Sequence, residues 1–324
     1  MKAILKWSAI AIGAIVLFLA AYTVYVTNSV DTVNMPTNHG KVVTQLFITK
    51  DGTKPIEGGP KRPLIVGFGG AEGGNGWTSP RSQAMRNRFI DNGYAFLALG
   101  YFGMPNTPEK LDRIALEGVY QSIKQAAAAP AVEGRCIALL GGSKGAELAL
   151  LLASRYPEVK AVAALAPSNL VFVAITDAMT TSSFSHNGEA IPFVPFPWKA
   201  TWPLLAGDKR KVFDLMTEDK AAVARARIPV EKINGPIILL SGTKDEMWAA
   251  REMSDEVILQ LKEKSFPHPN QHIAIEGGHD APRKHLDKVL TFFNTHFKPG
   301  VKNGCPRGDA LPELTKPKTS GIPA

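Results

Sequence analysis

The chain is poor in cysteine, short of acid relative to base, and without the signatures of several function classes. Two cysteines in 324 residues, Cys136 and Cys305, cannot build a disulfide framework and show no metal-ligand spacing; no metal and no cofactor are expected. No arginine-rich or aromatic-interleaved stripe occurs, which argues against nucleic acid as a partner. No G-x-x-x-x-G-K-[ST] stretch occurs either, so the glycine-rich loop near residue 70 is not a phosphate cradle of that kind. There is no internal repeat. Asp and Glu number 29 against 37 Lys and Arg, a formal charge of +8. That surplus suits an acidic substrate or an anionic membrane face, and scattered surface lysines would produce it equally well. With 45% hydrophobic and 20% charged residues the composition is that of an ordinary globular protein, long enough for one large α/β domain or two small ones.

What is present begins with an uncharged run. After Lys2 and Lys6, residues 7–26 are mostly Ala, Ile, Leu, Val and Phe, about the length that crosses a bilayer as a helix. Tyr22 and Tyr25 lie near its outer end, as interfacial aromatics do, and the flanking charge (Lys2 and Lys6 before, Asp31 after) orients the following domain outward. Residues 1–27 are read as an uncleaved signal anchor in preference to a cleaved signal peptide, with the domain extracytoplasmic in either case. Residues 28–40 read as a linker and 41–298 as the folded domain. Residues 299–324, rich in Pro, Gly and Lys, read as a flexible tail.

Within the domain the pattern alternates. Strands are predicted over 42–48, 64–68, 94–99, 136–140, 161–165, 237–240 and 272–275, and helices over 83–91, 111–127, 146–156, 254–264 and 284–297. Short apolar strands alternating with helices indicate a mostly parallel sheet covered on both faces. Residues 169–234 break the rhythm with Ser/Thr-rich, Pro-rich and basic segments and read as a cap insertion.

Gly141-Gly142-Ser143-Lys144-Gly145 joins a predicted strand to a predicted helix, the setting of a nucleophile elbow, in which a serine is exposed on a sharp turn. A serine hydroxyl needs a base to take its proton and a carboxylate to orient that base. In hydrolases built on this turn the order along the chain is Ser, acid, His. Asp245, in the loop after strand 237–240, is the acid candidate, and its neighbour Glu246 is the competitor. Of seven histidines, His279 follows a late strand and precedes the last helix, which makes it the base candidate. The oxyanion hole is expected from the backbone N–H of Lys144 and from that of Gly70 or Ala71, in the loop after strand 64–68. The Lys144 side chain, opposed to the helix dipole and three residues from Glu147, reads as structural.

Gly69-Gly70-Ala71-Glu72-Gly73-Gly74, residues 97–103, residues 141–148, residues 228–236 and Asp245-Glu246-Met247-Trp248 together resemble one family. From about 62 to 297 the chain is similar to bacterial α/β-hydrolases, dienelactone-hydrolase-like, that match the C-terminal domain of acyl-CoA thioesterases and bile acid-CoA:amino acid N-acyltransferases. The resemblance implies an α/β-hydrolase fold, the triad Ser143, Asp245 and His279, and a small-molecule acyl thioester or ester as substrate. Mammalian members carry an immunoglobulin-like domain ahead of this one, whereas here the residues before Val42 read as anchor and linker. Acyl-CoA is cytosolic, so an exported domain implies a different ester or thioester, or an inverted topology. The amino-acid-conjugating branch uses cysteine as nucleophile. Serine at 143 favours hydrolysis, with an N-acyltransferase and a non-catalytic acyl-ligand-binding protein as the alternatives. The basic cap residues Lys209, Arg210, Lys211, Arg225 and Arg227 suit either a solvated face or CoA phosphates. A Cys136–Cys305 disulfide is a further expectation if the domain is exported.

Overall fold

The computed structural model describes residues 2–29, 35–50 and 58–298. Among the described residues helix α1 (Lys2–Ser29) precedes ten strands and eight further α-helices. The strands are β1 (Val43–Phe47), β2 (Arg62–Phe68), β3 (Ala95–Gly100), β4 (Ile114–Ala115), β5 (Val132–Gly142), β6 (Val159–Leu165), β7 (Phe184–His186), β8 (Glu189–Ala190), β9 (Ile237–Gly242) and β10 (Asn270–Ile275). The helices are α2 (Pro80–Asp91), α3 (Leu116–Ala127), α4 (Lys144–Arg155), α5 (Thr201–Leu205), α6 (Lys209–Met216), α7 (Lys220–Ala226), α8 (Ala250–Glu263) and α9 (Leu286–His296).

Seven strands form one sheet in the order β1-β3-β2-β5-β6-β9-β10. Every neighbouring pair is parallel except β1 against β3. Side chains alternate across a strand, so a sheet covered on both faces needs apolar residues at consecutive positions. In β2, Leu64, Val66 and Phe68 join Val119, Leu148 and Val257 on the face covered by α3, α4 and α8. Ile65 turns to the other face, with Phe89, Val289 and Phe293 from α2 and α9. A third cluster lies over the sheet's C-terminal edge, where Leu170, Phe172, Val194, Val212 and Met216 of the insertion pack on Trp248 and Met253.

The helix expected over 111–127 begins only at Leu116. Arg113 has φ of 44°, incompatible with helix, and the chain around it is drawn into sheet contacts, Leu111 bridging Ile175 and Ile114 pairing Phe184. The apolar residues that imitated a longer helix are buried for a different reason. The last helix starts at Leu286 instead of 284, after a 3₁₀ turn over Ala281–His285.

Among the described residues no helix is long and apolar enough to cross a membrane. The side chains described in α1 are those at 7, 8 and 10–23, and the transmembrane span expected over 1–27 is not supported by them. Cys136, fully buried, is disulfide-bonded, and Cys305 lies outside the described residues, as does the tail expected over 299–324.

The close crossing of β5 and α4 depends on two glycines. A Cβ at Gly141 would lie 2.0 Å from the Gly145 carbonyl oxygen, and one at Gly145 would lie 2.2 Å from that of Gly69. Neither contact is relieved by a rotamer change, because both partners are backbone. A Cβ at Gly142 would meet nothing nearer than Arg283 Nε at 3.8 Å. Gly141→Ala and Gly145→Ala are therefore expected to cost at least the upper end of the ~1–3 kcal/mol of ordinary overpacking. Gly142→Ala should cost less than about 1 kcal/mol. Urea unfolding midpoints of the three variants test the ordering.

Candidate active site

Parallel strands bring their C-terminal ends to one edge, where the loops that follow converge. Ser143 lies between the end of β5 and the start of α4, with φ 56° and ψ −123°, a strained conformation for a residue with a side chain. Its N–H donates to the Leu165 carbonyl at the end of β6, 2.8 Å away, which fixes the turn to the neighbouring strand. The loop after β9 carries Asp245 and the loop after β10 carries His279. These two loops are tied to each other, since Thr243 N–H donates to Ile275 O and Lys244 N–H to Gly277 O, each at 2.8 Å.

Asp245 Oδ2 lies 2.8 Å from His279 Nδ1. Its other oxygen accepts from the backbone N–H groups of Met247 (2.8 Å) and Trp248 (3.2 Å). The carboxylate is thus buried with both oxygens engaged. Glu246, the competing acid, accepts from the backbone N–H of His279 at 2.9 Å, so it holds the loop and leaves the ring to Asp245. An imidazole whose Nδ1 faces a carboxylate keeps its proton there and presents a lone pair at Nε2. Nε2 is buried and has no hydrogen-bond partner among the described residues. Ser143 and His279 line one cavity of about 310 Å³ with Ala71, Leu165, Met247 and Arg283. The two face the same space without a hydrogen bond to His279 Nε2.

The residues expected to supply the oxyanion donors lie beside Ser143 or line its cavity. Lys144 is the first residue of α4, where N–H groups have no acceptor within the helix. Ala71 lines the cavity, and Gly70 lies so close that a Cβ on it would be 3.2 Å from Ser143 Cβ. Glu72 and Arg283 form an ion pair at the cavity wall, 3.2 Å apart.

The Lys144 side chain turns away from the cavity. Helix α4 is buried from Lys144 through Ser154, and Lys144 Nζ meets Glu147 Oε2 at 2.8 Å in the interior. Glu147 Oε1 also accepts from Phe172 N–H of the insertion, at 3.2 Å, while Lys144 Nζ lies 5.6 Å from the Phe184 ring centroid. Burial pushes the lysine pKa down and the glutamate pKa up, with their mutual attraction opposing both shifts. The pair thus ties the elbow helix to the cap segment above it.

Two features were not read from the sequence. Trp248 packs edge-on against His279, with ring centroids 5.0 Å apart, and confines the imidazole; the Asp245-x-x-Trp248 spacing was its signal. The second is another Ser-His-Asp relay. Ser241 Oγ lies 2.7 Å from His272 Nε2, and His272 Nδ1 lies 2.8 Å from Asp255 Oδ1. It joins β9, β10 and α8, and no sequence spacing reveals it because strand register creates it. Ser241 is fully buried in the sheet, so no substrate carbonyl reaches it and the relay serves as a structural clamp.

Comparison with known proteins agrees with this architecture. The family "BAAT / Acyl-CoA thioester hydrolase C terminal" matches residues 117–281. Acyl-coenzyme A thioesterase 5 of Mus musculus is 26% identical over 281 residues, covering 86% of this chain and 62% of the relative. Acyl-coenzyme A thioesterase 1 of Mus musculus is 27% identical over 230 residues, covering 70% of this chain and 49% of the relative. The chain therefore spans about half to three fifths of the length of these curated relatives. A puromycin-hydrolyzing peptidase from Mycobacterium tuberculosis superposes with a TM-score of 0.51 at 14% identity, over 73% of this chain and 34% of that one, a likeness of fold.

Removing Glu147 leaves an ammonium buried without its partner. Glu147→Ala is expected to destabilise by about 3–5 kcal/mol. The double variant Lys144→Met/Glu147→Leu should recover part of that loss, and denaturant titration of both reads the difference. With its parallel sheet, its serine elbow and its acid and histidine on adjacent strand-end loops, this chain has an α/β-hydrolase-like fold and belongs to the BAAT / acyl-CoA thioester hydrolase C-terminal family.

Proposed function

We propose that the protein is a serine hydrolase that cleaves an acyl thioester or ester through an acyl-serine intermediate. The observation that carries this reading is the Asp245–His279 contact of 2.8 Å, with a buried, unpartnered Nε2 in the cavity that Ser143 lines. In the first step Ser143 Oγ attacks the acyl carbonyl and its proton passes to His279 Nε2, while Asp245 stabilises the imidazolium. The oxyanion is held by the N–H of Lys144 and by that of Gly70 or Ala71, preorganised donors that cost no reorganisation as charge develops. The bond to the leaving group breaks, and the departing thiolate or alkoxide takes the proton from Nε2. Water then gives a proton to Nε2 and attacks the acyl-serine carbonyl; the acyl–Oγ bond breaks, the acid leaves, and Ser143 Oγ recovers the proton from Nε2. An amine in place of water would make the reaction an N-acyl transfer; serine at 143 favours water. The relatives' names, acyl-coenzyme A thioesterases, support a thioester as the first substrate to test.

The same proposal places the domain at a membrane, on the extracytoplasmic side, with α1 as the attachment. Every side chain described in α1 is exposed, including Trp7, Ile12, Leu17 and Phe18, which makes it an apolar surface open to solvent. The bonded Cys136 supports an oxidising compartment.

Ser143→Ala should abolish both hydrolysis and labelling by a fluorophosphonate probe, and the wild-type adduct should map to Ser143 and not to Ser241. Asp245→Asn should lower kcat by about 10⁴ with the fold intact, the loss expected when the imidazole is left in the wrong tautomer. Undiminished turnover in Ser143→Ala would overturn the mechanism. For topology, alkaline phosphatase fused after Ala324 should be active and a green fluorescent protein fused there should be dark; the reverse pattern would place the domain in the cytoplasm.

A further inference from the structure

Side chains at positions i, i+4 and i+7 of a helical segment share one face, and in a soluble domain an apolar stripe at that spacing faces the core. In the cap the stripe is turned outward. Trp198, Trp202 and Leu205 have this spacing along the 3₁₀ turn Trp198–Ala200 and α5, and they are 87%, 79% and 73% exposed. Helix α5 buries none of its own residues; the segment is held instead through Ala200, which is fully buried. The glycine and aspartate that follow lead into α6, whose first three residues are Lys209, Arg210 and Lys211, with no acidic residue in that turn. Cations at a helix N-terminus oppose the helix dipole, and here the N-cap carboxylate of Asp208 offsets them in part. Asp208 accepts the Lys211 backbone N–H, and the acids that face the three cations from further along the chain are Asp214, paired with Arg210, and Glu218, whose carboxyl Lys199 and Lys211 hold down. Arg210 is shared with Asp214 and with the Asp245 carbonyl oxygen, while Lys209 and Lys211 are exposed.

We infer that this surface of the cap docks onto an anionic phospholipid bilayer, with Trp198, Trp202 and Leu205 in the headgroup region and Lys209 and Lys211 against the phosphates. Tryptophan suits that location because its ring is apolar while its N–H finds acceptors at the headgroup level. Adjacent apolar and basic side chains are the combination that binds such an interface, through buried apolar area together with attraction to anionic lipid. The placement also bears on the reaction. Phe213 of α6 packs on Trp248 with centroids 5.1 Å apart, and Trp248 packs on His279, so the docked element forms part of the wall around the candidate base. An acyl substrate delivered from the bilayer would meet the cavity at this end of the sheet. The inference concerns the cap and does not depend on how α1 meets the membrane.

The test uses the full chain with phosphatidylcholine vesicles, with and without phosphatidylglycerol, carrying brominated acyl chains. The emission lost on going from wild type to Trp198→Phe/Trp202→Phe isolates the two cap tryptophans from Trp7, Trp77 and Trp248. That difference should be quenched by the brominated lipid, and hydrolysis of a water-soluble ester should be the same in both proteins. Lys209→Gln should weaken the quenching on anionic vesicles by about fivefold, the effect of one basic side chain at an anionic leaflet, and leave neutral vesicles unaffected. Quenching of Trp7 alone, persisting unchanged in the double variant, would mean that α1 meets lipid and the cap does not, which overturns the inference. Concentration-dependent dimerisation of wild type that the double variant lacks, with no bromine quenching, would assign the surface to a second copy and overturn it as well.

Discussion

The site depends on how closely one turn approaches its neighbours. For Ser143 to stand at the end of the sheet, β5 must reverse into α4 within a single residue at positive φ, and α4 must lie against the loop that follows β2. Gly141 and Gly145 allow this, because backbone occupies the space where their side chains would be. The same approach brings Gly70 against Ser143, so the proposed nucleophile and the loop proposed to hold the oxyanion are set by one packing contact. The strain at Ser143 is held by the Leu165 carbonyl on one side and by a fully buried helix on the other.

That buried helix explains a charge in the interior. Helix α4 has the sheet on one side and the insertion on the other, so Lys144, the residue after Ser143, has no route to water. Lys144 is neutralised by Glu147, which also reaches the Phe172 amide of the cap segment. A buried ion pair gains little over apolar packing in stability, but it is specific in geometry. Here it registers the cap on the elbow, and Phe172 then stacks on Trp248, which confines His279.

Much of this was legible in the chain because it is local. The alternation of short apolar runs with helical periodicity reported the covered parallel sheet, and G-x-S-x-G between a strand and a helix marked the turn. Asp245 and His279 were legible as residues just beyond strand ends. Asp245 was also preferred there to Glu246, but the physical reason lies in the structure, where the loop aims one carboxylate at the ring and the other at the backbone. The helix expected from 111 illustrates the opposite failure: Leu111 has helical spacing but is buried through a bridge to Ile175, a contact 64 positions away in sequence that no local pattern contains.

The sequence by itself determined the fold class, the family and the identity of the three residues for which a chemical role is proposed, because strand and helix periodicity and the residues flanking strand ends are short-range properties. Only the tertiary structure decided how those residues face one another. Parallel register joined Ser241 and His272 on neighbouring strands to Asp255 of α8 in a fully formed Ser-His-Asp relay whose serine is buried, and left Ser143 and His279 facing an open cavity. It also decided that Trp198 and Trp202, whose spacing alone would place them in a core, point outward. Exposure is a property of what packs against a residue, and that is settled by segments distant in sequence.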